Sequence, residues 1–522
     1  IQSCPVGAII EKDAVGKGRT WEMTKTVTTC EYCGVGCEIE VYTKDNTLVK
    51  VKGIDGPANL GRLCVKGRFG HDYIKSGERL TAPLIKRNGK FKAVSWNEAI
   101  DYAAQRLSDI REKYGSKALG GLSSAKCTNE ENYVFQKFVR TVFQNNNVDH
   151  CARLCHASTV AGLSKAFGSG AMTNSITELT ECDCIFVAGS NTTETHPVIA
   201  TFIKNAVREG AVLIVADPRK IDLVKYAEIH LQHKNGTDVA LFNGLMNVIY
   251  TDGLSDEQFI RERTEGFEEF VDVIREYTPE KVEEITGVPR EKIVHAARLY
   301  GRARKASIVF SMGITQHITG TDNVLSLANL AMLTGNVGRE STGVNPLRGQ
   351  NNVQGACDMG ALPDVYPGYQ NVTDPEIREK FEEKWGVPLS SEVGLTIVEM
   401  MNKAAEGEIR ALYFMGENPM ISDPNINHVE EALKTLEFLV VQDIFLTETA
   451  KLADVVLPSR GSLEKDGTFT NTERRIQRVR KVIEPHPNTK DDWEIIGLVA
   501  EKMGYENLRY NDVSVSYTHL TL

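Results

Sequence analysis

Two groups of sulfur ligands stand out. Cys30, Cys33, Cys37 and Cys64 follow the spacing C-x2-C-x3-C-x26-C, which puts three thiolates on one loop and returns a fourth after a long excursion. Four thiolates in a nearly closed shell suit a cubane 4Fe-4S cluster. A structural zinc ion also takes four cysteines, but usually as two C-x2-C pairs, so the x3 step and the long return favour the cluster. The second group is Cys151 and Cys155 in VDHCARLCHASTV (148–160), where His156 directly follows Cys155 in a stretch without a clear amphipathic period. A deprotonated thiol ligates a soft metal, and an imidazole exchanges protons near neutral pH, so the pair could join metal chemistry to proton transfer. Taken alone, both cysteines read better as inert buried thiols.

Other residues carry weaker signals. Cys4 precedes Pro5, the last two letters of the bacterial run C-x2-C-x2-C-x3-C-P, which makes it a ligand of an upstream ferredoxin-type cluster and residues 1–22 the end of a truncated ferredoxin-like module. Lys66, two positions after Cys64, reads equally as an ordinary surface lysine. The eleven cysteines are odd in number and unevenly placed, which argues against a secreted disulfide framework and for ligation or thiol chemistry in a reducing, cytoplasmic setting.

These side chains need elements to hold them. EIEVYTKDNTLVKVKG alternates apolar and polar residues around Asp45-Asn46 and predicts a β-hairpin within a cluster module over 23–80. Ser95 with Glu98, and Thr128 with Glu131, predict capping boxes opening two helices. Beyond Cys182 a unit recurs: a short apolar strand, a glycine-containing polar loop, then a helix, as in CIFVAGSNTTETHP, VLIVADPRKID, SIVFSMGITQH, ALYFMGENPMI and FLVVQDIFLTETA. Strands alternating with helices imply an α/β protein with doubly wound parallel sheets and ligand crevices at the carboxyl ends of the strands. The reading is a body over 81–470 with two Rossmann-like halves, about 150–300 and 300–460, and a charged surface insertion at about 370–395. Residues 471–513 then begin a C-terminal region, and those from Ser514 to 522 read as an artefactual tail.

A chain of 522 residues with 41% hydrophobic and 25% charged residues has room for several cores. Its net charge of −10 argues against binding a phosphate backbone. No apolar run approaches the roughly 20 residues that span a bilayer.

The motifs TCEYCGVGCE, GRLCVKGR, VDHCARLCHASTVAGL, VAGSNTTETHP, VADPRKID, NPLRGQNNVQGACDMG, MGENP and ADVVLP occur in one order along nearly the whole chain. In this the sequence resembles the molybdenum or tungsten bis-pterin oxidoreductases of the DMSO reductase family, and within them the catalytic subunit of formate dehydrogenase in its cysteine-containing form. The resemblance implies oxidation of formate to carbon dioxide at a bis-molybdopterin guanine dinucleotide centre, with electrons passed to a 4Fe-4S cluster. It makes Cys155 the ligand of molybdenum or tungsten, gives Cys151 no metal role, and makes His156 the proton acceptor. Arg348 becomes the arginine facing the substrate, with Gln350 as its neighbour. A planar fork of donors matches both oxygens of a bare carboxylate. Lys66 becomes a bridge between cluster and pterin. Gly189, Ser190, Asn191, Asp217, Arg219, Gly236 and Asp238 would hold one nucleotide tail, and Gly313, Gln316, Gly416, Asn418, Gln442, Asp443 and Thr447 would do so in the second half. The family also continues into a C-terminal β-barrel domain, near whose expected start this sequence stops. The acceptor of the electrons would be an NAD-diaphorase subunit, a hydrogenase or a ferredoxin. Two rivals share the architecture: a nitrate reductase, and a non-catalytic electron-transfer subunit of a respiratory complex. The Cys155-His156 pair and the Arg348-Gly349-Gln350 loop favour formate.

Overall fold

The computed structural model describes residues 4, 6 and 8–510; the tail from Ser514, with residues 511–513, lies outside them. The strand Thr24–Thr29 pairs with Glu38–Lys44, which turns to pair with Thr47–Gly53, all antiparallel. Asp45 (φ 51°) and Asn46 (φ 56°) adopt the left-handed conformation that a two-residue hairpin turn requires and short polar side chains tolerate. Cys30, Cys33 and Cys37 lie on the link between the first two strands. Cys64 caps the helix Val65–Phe69, its sulfur accepting from the Gly67 N–H at 3.5 Å.

Two larger sheets form the body. One has five parallel strands in the order Ile229–Leu231, Val212–Ala216, Cys184–Ala188, Ala306–Phe310, Gly343–Pro346. The other has seven, in the order Lys90–Ala93, Leu84–Arg87, Val455–Pro458, Phe438–Asp443, Ala411–Met415, Leu119–Leu122, Val148–Asp149. Its first two strands run antiparallel to their neighbours and form one edge. The boundary expected near residue 300 is therefore corrected. Ala306–Phe310 sits inside the first sheet, and the segment from Cys184 to Pro346 is one unit inserted between the strands of the other. Strand-helix units look alike in both sheets, so chain order does not say which sheet a strand joins.

Ser95 caps the helix Trp96–Tyr114 by accepting from the Glu98 N–H, but the Glu98 carboxylate pairs with Arg87 instead of closing the box. Thr128 and Glu131 form the full reciprocal box. The helix Asp492–Lys502 buries Ile495, Ile496 and Val499 in the core that also takes Ile100 and Leu107 from Trp96–Tyr114. At ~1.5–3 kcal/mol for each large apolar side chain, this packing fixes the C-terminal segment to the seven-stranded sheet. The expected surface insertion is corrected too. Its helix Pro375–Trp385 turns Phe381 and Trp385 inward; Tyr366 stacks on Phe381 at 4.5 Å, and Trp385 Nε1 donates to the Tyr133 hydroxyl at 3.2 Å. Charge dominates its composition, but only on the outward side.

Candidate active site

The site forms beyond the end of one edge strand from each large sheet. Val148–Asp149 ends the seven-stranded sheet and leads through His150 and Cys151 into the helix Ala152–Cys155. Gly343–Pro346 ends the five-stranded sheet and leads into Leu347 and Arg348. Arg348 is 1% exposed. Its Nη2 donates to the Gly170 carbonyl at 2.8 Å, while Nε and Nη1 are buried and find no partner. Its peptide is held from three sides. Its N–H donates to Thr472 Oγ1 at 3.0 Å, and its carbonyl accepts from His196 Nε2 at 2.6 Å. On the third side lies Gly34 of the cysteine loop, where a Cβ would stand 2.3 Å from that carbonyl oxygen. Only glycine lets the loop rest on the arginine.

Burial pushes the Cys155 thiol up to about 11, against which the Arg348 charge and the Gly349 N–H pull down. His156 is fully buried; burial, then the charge of Arg348, holds it neutral, well below the ordinary histidine range. Its Nε2 donates to the Leu347 carbonyl at 3.1 Å, so its Nδ1 takes the Thr159 hydroxyl at 2.9 Å. Gln350 accepts from the Cys151 thiol, which lies beside Cys155. Cys155, His156 and Arg348 thus converge, with Gln350 one contact behind.

The four cysteines of the first group also gather. Burial raises Cys30, Cys33 and Cys37, and each of them is raised further by other thiols of the group: Cys30 by Cys37 and Cys33, Cys33 by Cys64, and Cys37 by Cys33 and Cys64. Clustered thiols without a cation are what a metal centre stabilises as thiolates. Among the described residues no three of these sulfurs lie within 4.8 Å of one another, whereas sulfurs bound at about 2.3 Å to one zinc would stand about 3.8 Å apart. The spacing fits a cluster better than a single ion. Lys66 is exposed, and its charge lowers Cys33. Cys4 stands half-buried at the N-terminal edge of the described residues.

Two crevices open at strand ends. The first, about 620 Å³, is lined by Gly189, Ser190, Asn191, Asp217, Arg219, Asp238, Gly313 and Gln316. Gly313 and Gln316, expected in the second half, belong here because Ala306–Phe310 lies in the five-stranded sheet. Gly236 supplies a left-handed turn (φ 77°) beside Asn235, which faces the crevice. Asn191 Oδ1, buried and unpartnered, is an atom a polar ligand in this crevice would satisfy. The second crevice, about 290 Å³, takes Gly416 and Asp443 together with Lys126, Arg460 and Lys465, which the sequence reading missed. Arg460 Nε is buried and unpartnered, a donor suited to a phosphate. Three expected residues of this half are occupied by structural bonds. Gln442 accepts from the Tyr413 hydroxyl at 2.7 Å and donates to Asp492 Oδ1 at 2.5 Å. Asn418 Oδ1 takes the Thr449 N–H and hydroxyl at 3.1 and 2.7 Å, and Thr447 Oγ1 caps the turn at Ala450 N–H. Cys127, Glu131 and Asp492 are close enough to share a cation. The cation is the Lys465 ammonium, 2.7 Å from Glu131 and 2.8 Å from Asp492.

A cluster loop pressed against a two-sheet body, with two crevices for large polar ligands, is the architecture of a pterin-dependent redox protein. Residues 79–502 match the Molybdopterin oxidoreductase family and residues 23–76 the Molybdopterin oxidoreductase Fe4S4 domain, so the chain belongs to this family. Its cofactors are accordingly a molybdopterin carrying molybdenum or tungsten and a 4Fe-4S cluster. The chain is 52% identical to the F420-dependent formate dehydrogenase 1 subunit alpha of Methanococcus maripaludis, over 92% of its length and 70% of that protein's. It is 48% identical to formate dehydrogenase H of Escherichia coli, over 95% of its length and 71% of that protein's. In three dimensions it matches the acetylene hydratase of Pelobacter acetylenicus with a TM-score of 0.77 at 24% identity, over 94% of this chain and 70% of that one. Among the described residues no helix is long and apolar enough to cross a membrane.

Proposed function

We propose that the chain is the catalytic subunit of a cytoplasmic formate dehydrogenase, taking two electrons from formate and passing them to its cluster. The observation that carries this is Arg348, a buried guanidinium with two partnerless nitrogens beside Cys155. A buried, half-satisfied cation calls for an anion, and Nε with Nη1 offers donors to a small carboxylate. The 52% identity to a formate dehydrogenase alpha subunit supports the same substrate.

When bound, the molybdopterin centre accepts the electron pair. The chain supplies the rest. Cys155 offers the thiolate ligand, and the Arg348 charge and the Gly349 N–H favour its deprotonated form. Arg348 binds and orients formate in a pocket from which burial excludes water. His156 lies beside Cys155; neutralisation of Arg348 by the bound anion removes one of the charges that depress its basicity. In this reading Lys66, whose charge already lowers Cys33, would help hold the cluster and the pterin together when both are bound. The two crevices hold the nucleotide tails. When bound, the cluster would offer the exit for the electrons toward a separate protein: a ferredoxin, a hydrogenase or an NAD-diaphorase subunit. The test is metal analysis of the purified holoenzyme together with dye reduction driven by formate. Formate-dependent reduction with molybdenum or tungsten near one per chain supports the reading; nitrate-dependent oxidation of reduced dye, or neither activity in metal-loaded protein, overturns it.

A further inference from the structure

One contact of Arg348 comes from a residue with no role in the proposed chemistry. His196 joins the one-turn helix Thr192–Thr195 to the helix Pro197–Arg208. Its N–H donates to the Thr192 carbonyl at 2.9 Å, and its carbonyl accepts from the Ala200 N–H at 3.0 Å. Pro197–Arg208 buries Val198, Ile199, Phe202 and Ile203 in the core that also takes Ile185 and Val187 of the five-stranded sheet, which makes the mount rigid.

The ring is fully buried and bonded at both ends. Nε2 lies 2.6 Å from the Arg348 carbonyl, which can only accept, so Nε2 carries a hydrogen. Burial brings the ring down to about 4, so it is neutral at ordinary pH and Nδ1 must accept. Its partner is the Thr195 hydroxyl at 2.9 Å. That hydroxyl also lies 3.2 Å from the Asn191 carbonyl, but this carbonyl already accepts from the Glu194 and Thr195 N–H groups at 3.0 and 3.1 Å. The single hydrogen of Thr195 therefore goes to His196. Thr195 itself stands on the wall of the first crevice.

Resting on the proposed formate oxidation, we propose that His196, oriented by Thr195, is a positioning residue that aims the free nitrogens of Arg348 at formate. The guanidinium is pinned at its head by one bond only, from Nη2 to the Gly170 carbonyl. One bond leaves its plane free to turn, so the direction of Nε and Nη1 is set at the root of the side chain. There Thr472 holds the N–H at 3.0 Å and His196 holds the carbonyl. Without His196 that carbonyl is a buried acceptor with no bond, and the peptide gains by turning to find one, taking the fork with it. Thr195 fixes the tautomer: with the hydrogen on Nδ1, the ring would present a lone pair to the carbonyl.

The experiment uses the full holoenzyme, with metal and iron measured in every preparation. In His196→Leu, KM for formate should rise about tenfold to a hundredfold and kcat should change less, because the displaced contact already binds the ground state. His196→Gln keeps a side-chain N–H near the place of Nε2 and should recover most of that loss. Thr195→Val removes the hydroxyl but keeps the shape, so it should raise KM in the same sense by a smaller factor, and Thr195→Ser should reverse the change. Binding is read without turnover by calorimetry of the oxidised holoenzyme with nitrite, a bent anion of the shape of formate with no C–H bond to oxidise. Its Kd should rise in His196→Leu by the same factor as KM. Should His196→Leu lose its metal, the Thr195 pair decides. With an active wild type, a metal-loaded His196→Leu whose KM and nitrite Kd stay within about threefold overturns the positioning role alone, as does a Thr195→Val indistinguishable from wild type. A metal-loaded wild type inert to formate overturns the formate assignment. The nitrite Kd then decides on His196: the same value in His196→Leu, or no binding to the wild type, overturns its role too.

Discussion

Replacing Arg348 probes the substrate site most directly. The side chain spends one nitrogen on Gly170 and leaves two, Nε and Nη1, without partners. If both meet formate, each charge-assisted hydrogen bond is worth ~1.5–3 kcal/mol, or ~3–6 kcal/mol for the pair. At ~1.4 kcal/mol per factor of ten, Arg348→Ala should lower kcat/KM for formate about 10²- to 10⁴-fold. Arg348→Lys keeps the charge and one donor direction, so the loss of the fork should cost about one bond, or roughly 10- to 100-fold. The assay is formate-dependent viologen reduction at saturating dye, normalised to metal and iron in each preparation. Variants are compared at equal metal content, because the Arg348 charge also favours the Cys155 thiolate. An alanine variant with full metal content and kcat/KM within threefold of wild type would refute the reasoning.

Three further outcomes are expected. Cys30→Ser should abolish the paramagnetic signal of the reduced cluster; an unchanged signal in electron paramagnetic resonance would assign the cluster to other ligands. Lys465→Met leaves Glu131 and Asp492 buried without their cation, which should lower stability by ~3–5 kcal/mol, read as a shift in the urea midpoint; a loss under ~1 kcal/mol would show that the two acids need no counter-charge. His150, held neutral by burial and then by Arg153 and Arg348, titrates near pH 3 in the folded chain. The unfolded chain therefore takes up that proton first, and this contribution to stability is complete above about pH 6.5 and shrinks by ~1.4 kcal/mol per pH unit below it. His150→Asn should flatten the acid side of the stability profile by that slope between pH 6 and 4, and parallel profiles would count against it.

The cluster ligands were legible because coordination imposes its own spacing on the chain, and the hairpin at Asp45-Asn46 because two left-handed residues leave a mark in composition. Arg348 was reached only through resemblance. What singles it out physically, two donors without partners, exists only once Gly170, Thr472 and Gly34 surround it. Gln442 and Asp443 show the limit of strand-end reasoning. They are adjacent and both polar, but alternation along a strand sends one into the sheet, where Tyr413 and Asp492 engage it, and the other into the crevice. Lys465 went unnoticed because a lone lysine in a polar stretch gives no sign that two distant acids will close on it. The placement of Ala306–Phe310 was hidden for a related reason: pairing partners 122 residues apart, such as Cys184 and Ala306, leave no local trace.

The nesting of one sheet within the other sets an order on biosynthesis. The inserted unit has all its strands once residue 346 has been made, whereas the enclosing sheet waits for Val455–Pro458. At translation rates of 5–20 residues per second this is a delay of roughly 6–22 s. Until Met415 has been made, Leu119–Leu122, buried along its whole length in the finished protein, has no Ala411–Met415 beside it. Nascent chains of this design present a sticky, half-built sheet to the cell until that strand arrives.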